Sequence, residues 1–315
     1  MMQQKRIAIL LAAYNGELYL KEQMDSLFAQ QNQDWDLIVS DDCSVDSTYD
    51  ILRWYKDKYK EKVILLNNDM PSGSSKNNFF RLLENAEGYD YIMFCDQDDV
   101  WNQDKVGDTL QSMRQLENEE PQVPCLVHTD MKVVDSSLNL LQQSFVKSSL
   151  LDPKRCELKQ LVIQNVVSGC TTMINAALRE KALLPADRAS IRMHDWWCAL
   201  WAAAIGRIDF LPIQTSCYRQ HGKNVVGAKD VNSLSYLIHY LKRFSQNKQA
   251  LLDTERQAGA FYEAAKDYLS EEQKILLYDF STLNQKGKIK RVKTVAKYGI
   301  WLTGWRRQVG EVVQI

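Results

Sequence analysis

The chain has 315 residues, 45% hydrophobic and 25% charged, with 39 Lys and Arg against 40 Asp and Glu. These are globular proportions, and so balanced a charge gives no whole-chain reason to expect nucleic acid as a partner. Nothing approaches the roughly 18 apolar residues of a membrane span, and seven scattered cysteines without a C-x-x-C pair fit neither a disulfide framework nor a zinc site, which suits a reducing cytoplasm.

Ile7 to Ala13 is a short apolar run, too brief for a signal peptide, and reads as a first strand buried on both faces. The apolar spacing predicts a helix over Glu17 to Gln30, then a strand at Leu37 to Ser40. Ser47-x-x-Asp50 has capping-box spacing and opens a helix carrying Ile51, Leu52, Tyr55 and Tyr59. A strand at Val63 to Leu66, a helix at Asn78 to Ala86, a strand at Tyr89 to Cys95, a helix at Gln103 to Glu117 and a strand at Cys125 to Val134 follow. Further on come strand-like Cys170 to Ile174, a helix over His194 to Ile205, and strand-like Ile208 to Tyr218. From Leu234 everything reads helical.

Such alternation implies an α/β fold, with a mostly parallel sheet and helices on both faces. A boundary near residue 230 separates this unit, 1–230, from a helical C-terminal region, 231–315. Charge divides there as well: 14 basic against 8 acidic residues in the tail, and 25 against 32 before it.

Ligands of an open parallel sheet sit beyond the carboxyl ends of its strands. Three such ends are polar: AAYNG after the first strand, SDDCSVDST after the second, and CDQDDVW after the fourth. Helix capping suits Asp46 and Asp99. It explains Asp96 and Asp98 poorly, because two carboxylates so close repel unless a cation joins them. Hard divalent ions take oxygen ligands and complete their shells with water and substrate phosphates. Asp-Gln-Asp therefore reads as a clamp for a metal and a diphosphate.

Taken together, AAYNG, SDDCSVDST, FCDQDDVW, SGCTTMIN, MHDWW and YRQHGKN resemble, in order, the family-2 glycosyltransferases of the GT-A fold. The likeness covers about residues 5–225 and is nearest to the bacterial rhamnosyltransferase-like branch. It implies nucleotide or donor contacts from Tyr14, Asn15, Asp41, Asp42, Lys76, Asn77, Asn78, Asp96 and Gln97; for Asn78, capping a helix is an equal reading. It implies Mn2+ or Mg2+ on Asp96 and Asp98 with His221, diphosphate contacts from Arg219 and Lys223, and Asp195 as general base. His194, Trp196 and Trp197 would lie on the acceptor side.

The implied reaction is an inverting transfer of L-rhamnose from dTDP-β-L-rhamnose to a lipid-linked cell-surface polysaccharide, with UDP-sugars as the alternative donors. A haloacid-type phosphatase would carry its D-x-D after the first strand, and a nucleotidyltransferase a Gly-rich basic first loop. A non-catalytic sugar-nucleotide-binding module would need no base. The basic run Lys286 to Arg307, interleaved with Val, Ile and Trp, reads either as a contact with an anionic membrane, placing the enzyme peripherally on the inner face, or as a packing or homodimerisation element.

Overall fold

The computed structural model describes residues 6–120, 122–221 and 244–303. Its centre is a nine-stranded sheet: β1 (Ile7–Ala13), β2 (Trp35–Asp41), β3 (Val63–Leu65), β4 (Tyr91–Asp96), β5 (Val100–Trp101), β6 (Cys125–Val134), β7 (Leu140–Gln142), β8 (Thr172–Asn175) and β9 (Arg207–Arg219). The strand order is β3-β2-β1-β4-β8-β6-β9-β5, with β7 paired to β6. β3, β2, β1 and β4 are mutually parallel, and β9 is parallel to β6. The sheet departs from purely parallel at β8, antiparallel to both β4 and β6 and wedged between them, and at its margin, where β5 runs antiparallel to β9 and β7 to β6.

The N-terminal run is buried on both faces. Ala8 and Leu10 point into one apolar cluster, and Ile7, Ile9 and Leu11 into another. The second cluster is roofed by α1 (Leu20–Phe28), α2 (Thr48–Tyr59) and α4 (Lys105–Glu119). The first takes α3 (Ser75–Glu84), α7 (Ala176–Ala182) and α8 (His194–Ile205). Two short helices, α5 (Phe145–Ser148) and α6 (Leu158–Leu161), lie in the irregular stretch between β7 and β8.

Local chemistry sets several boundaries. Ser74 caps α3 by accepting from the Asn77 N–H at 3.2 Å. The capping box expected at Ser47 does not form. Asp46, one residue earlier, accepts from the Thr48 N–H at 3.0 Å instead, and Ser47 makes no side-chain cap.

Beyond the undescribed stretch lie α9 (Phe244–Ala265), α10 (Glu271–Ser281) and α11 (Lys288–Tyr298). These helices add to the core of the sheet: Phe261, Leu277 and Val295 share a buried cluster with Ala8 and Phe94. Phe261 meets the rings of Trp197 and Trp201 edge-on, with centroids 5.4 and 5.1 Å away. The boundary expected near 230 lies outside the described residues. Among the described residues no helix is long and apolar enough to cross a membrane, and all seven cysteines are free.

Candidate active site

Register brings the polar strand ends together. Ala13 pairs with Asp41 across β1 and β2, and Ala12 with Asp96 across β1 and β4. Side chains then stitch the loops. Asn15 donates its N–H to Ser44 Oγ at 2.8 Å and accepts from the Val45 N–H at 2.9 Å. Gln97 grips the main chain of Tyr14 at both ends, accepting from its N–H at 2.8 Å and donating to its carbonyl at 3.0 Å. The ring of Tyr14 remains 55% exposed over this edge.

At the end of β2, Asp41 accepts from the N–H and hydroxyl of Ser44. Asp42 accepts from the N–H and hydroxyl of Ser72 and lies 3.5 Å from Arg81. Asn77 reaches the Ser72 carbonyl at 2.9 Å. Two neighbours expected at the donor are committed elsewhere. Asn78 is buried and bonded to the Ser40 hydroxyl and carbonyl, so it neither caps α3 nor faces a ligand; it ties α3 to β2. The Lys76 ammonium donates to the carbonyls of Arg188 and Ile191, both at 2.6 Å, rather than standing at a phosphate position.

The acidic loop after β4 is larger than expected. Asp96, Asp99 and the Cys170 thiol bring their ligand atoms within 4.8 Å of one another. Asp99 is no helix cap: it is fully buried, and its Oδ2 has no hydrogen-bond partner among the described residues. Burial and the charge of Asp98 push its carboxyl up to about 7. Burial, then Asp99, Asp98 and Asp195, push Asp96 well above the usual carboxylate range. Cys170 rises too, through burial and then the charges of Asp99 and Asp96, which keeps it a thiol. Asp98 meets His221, Oδ2 to Nε2, at 2.8 Å.

That donor set suits a hard divalent cation. The Asp96 and Asp99 carboxylates converge beside the Cys170 thiol, and one Asp99 oxygen is buried and without a hydrogen-bond partner among the described residues. Asp98, between them in the chain, is bonded to His221, and the mutual repulsion of the carboxylates awaits a positive charge.

Asp195 stands in the first turn of α8, buried, and accepts from the Trp196 N–H at 2.7 Å. Burial pushes its carboxyl up to about 6 against the opposing pull of the Trp196 and Gly169 N–H groups and of Asn165. Its influence on Asp96 places it in the same electrostatic field as the acidic loop.

The other expected acceptor-side residues are core. His194 is buried between Phe79 and Phe94, with centroids at 3.9 and 4.6 Å, and burial lowers its imidazole to about 3. Trp197 is wholly buried and donates its indole N–H to Ala182. Trp196 is 8% exposed and donates to Leu161. An all-round apolar helix lodged between the sheet and α9 has little face left for a sugar.

Arg219 is likewise no free cation. At 1% exposure it donates to the Asp98 and Ser136 carbonyls at 2.9 and 2.6 Å and pairs with Glu22. Lys223 lies outside the described residues. Asp99 was missed as a site residue because its position before a helix has an ordinary capping explanation; the one available signal was a third carboxylate in Asp96-Gln97-Asp98-Asp99.

A mixed sheet whose parallel strand ends gather an acidic loop, with a buried carboxylate in the first turn of α8, has the form of a GT-A glycosyltransferase. Residues 8–180 match the profile of glycosyl transferase family 2, and the chain belongs to that family. The dTDP-rhamnosyl transferase RfbG of Shigella flexneri is 30% identical over 69% of this chain and 74% of its own. The TarS fragment 1–349 of S. aureus in complex with UDP-GlcNAc superposes with a TM-score of 0.54 at 16% identity, over 94% of this chain and 93% of that one. The mannosyltransferase PcManGT of Pyrobaculum calidifontis, in complex with GDP-Man and Mn2+, gives 0.53 at 14% identity, over 94% and 74%. The two structural likenesses speak to the fold.

Proposed function

We propose that this glycosyltransferase moves L-rhamnose from dTDP-β-L-rhamnose, with inversion, to a hydroxyl of a lipid-linked cell-surface polysaccharide. The observation that carries the chemistry is Asp195, a buried carboxylate held by main-chain N–H groups within the field of the acidic loop. It takes the proton of the acceptor hydroxyl as that oxygen bonds to the anomeric carbon and the bond to the nucleoside diphosphate breaks. Single displacement inverts the centre, so a β-linked donor yields an α-linked product.

Asp96, Asp98 and Asp99, with His221, would hold Mn2+ or Mg2+. When bound, the cation supplies charge neutralisation for the departing diphosphate. Tyr14, Asn15, Asp41 and Asp42 flank the nucleotide's place at the ends of β1 and β2, while Gln97 keeps the Tyr14 turn in position. The RfbG relative supports a dTDP-rhamnose donor. The UDP-GlcNAc complex of TarS is the reason UDP-sugars stay the alternative.

The test is release of nucleoside diphosphate from dTDP-rhamnose and from UDP-GlcNAc, using a synthetic lipid-linked acceptor, with Mn2+ or with EDTA. Release of dTDP that EDTA abolishes is expected. Turnover with the UDP-sugar alone would overturn the donor, and undiminished turnover in EDTA would overturn the cation.

A further inference from the structure

The basic run near the C-terminus takes no part in the reaction just derived. In α11 it is a helix with two unlike sides and no acidic residue. One side is anchored. Val295 is fully buried, the Tyr298 hydroxyl donates to Asp279 at 2.6 Å, and Arg291 donates to the carbonyls of Lys286 and Asn284. Just past the helix Ile300 is buried, the Trp301 carbonyl accepts from Arg155, and the Thr303 N–H donates to Gln164 at 2.7 Å. The helix is thus tied to its neighbours in the C-terminal region, and the segment just past it is fixed to the body of the enzyme through Arg155 and Gln164.

The other side faces water. Lys290, Lys293 and Lys297 are exposed at the spacing that aligns side chains along a helix. Beside them Ile289 is 74% exposed. Lys290 and Lys293 enter no ion pair among the described residues, and Lys297 is 3.9 Å from Asp279.

We infer that this face of α11 docks on an anionic lipid bilayer. Cations on a rigid surface attract an anionic leaflet, adding up with each lysine near it. An exposed isoleucine among them gains little from a soluble polyanion but is buried when the face settles into the headgroup layer. The inference does not depend on the donor or the reaction, because its test reads binding alone.

The experiment is cosedimentation of the full chain with vesicles of phosphatidylcholine alone or with added phosphatidylglycerol, at low and raised salt. Binding is expected only with phosphatidylglycerol, and weakening with salt. The variant K290E/K293E/K297E should bind at least about tenfold more weakly, and Ile289→Asp should bind more weakly as well. Ile289→Asp and the double variant K290E/K293E, which leaves the contacts of Lys297 with Tyr298 and Asp279 in place, should keep the parent melting temperature and turnover on a water-soluble acceptor. Equal binding to both vesicles, or undiminished binding by the triple variant, would overturn the inference. So would a triple variant whose only change is loss of self-association, since the face would then serve a second copy of the chain.

Discussion

The Nε of Arg219 donates to the main-chain carbonyl of Asp98 across 2.9 Å, so the last residue of β9 holds the acidic loop in place. Its N–H adds a 3.2 Å bond to Asp99, and its guanidinium lies 4.5 Å from the Tyr19 ring, which also stacks with His221 at 4.9 Å. Arg219→Met should cost about 2–4 kcal/mol, because buried carbonyls lose their donor, and should lower turnover as Asp98 and His221 lose their seat. Arg219→Lys should recover part of both. Urea denaturation beside turnover checks this; a stable, fully active Arg219→Met enzyme would remove the anchoring role.

Asp195 should set the acid limb of the pH profile. Its carboxyl is pushed to about 6, and a base must be ionised, so kcat/KM should fall as pH drops through about 6. Asp195→Asn should lose about 10²- to 10⁴-fold in turnover while calorimetry finds nucleotide affinity nearly unchanged. An Asn variant that retains turnover would move the base elsewhere.

The acidic loop should make stability depend on pH and on cation together. Asp99 near 7 and Asp195 near 6 hold protons that the unfolded chain, titrating near 3.8, has already released. The folded state thus binds more protons between those limits, and this contribution to stability grows as pH falls from about 8 toward 5. A bound cation replaces those protons, so Mn2+ should raise the melting temperature by about 3 °C or more near pH 8 and by less near pH 5.5. Asp99→Asn should melt higher than the parent near pH 8 without Mn2+ and respond less to it. Scanning fluorimetry with and without EDTA distinguishes these outcomes; a shift independent of pH would contradict the linkage.

The frame of the fold was legible in the sequence because buried strands and amphipathic helices have different apolar periods. β6 and α8 occupy the predicted spans, Cys125–Val134 and His194–Ile205. The gathering of Asp41 and Asp96 followed from strand ends alone. What a one-dimensional pattern does not carry is which way a polar side chain turns. Lys76 and Arg219 have the charge to meet a diphosphate, yet each spends it on backbone carbonyls across the fold. Trp197 could equally have faced a sugar or the core, and the choice was made by Phe261, some sixty residues on, arriving against it. The position of β8 was hidden for the same reason: an antiparallel insertion is decided by long-range pairing.

The turn after β1 is shaped by the close approach of Gln97 to Gly16. A Cβ built on Gly16 would stand 2.2 Å from Gln97 Oε1, the atom that accepts from the Tyr14 N–H. Gly16→Ala must therefore displace Gln97, giving up two hydrogen bonds to Tyr14 worth about 1 kcal/mol each, and should raise the donor KM more than it lowers kcat. Gln97→Ala gives up the same two bonds without any clash. In the double variant the methyl group meets no amide, so the two losses should overlap rather than add. A double-mutant cycle on stability and on donor KM measures the coupling. Strict additivity would mean that Gly16 matters for some reason other than the approach of Gln97, and the clamp on Tyr14 would lose its place in the donor site.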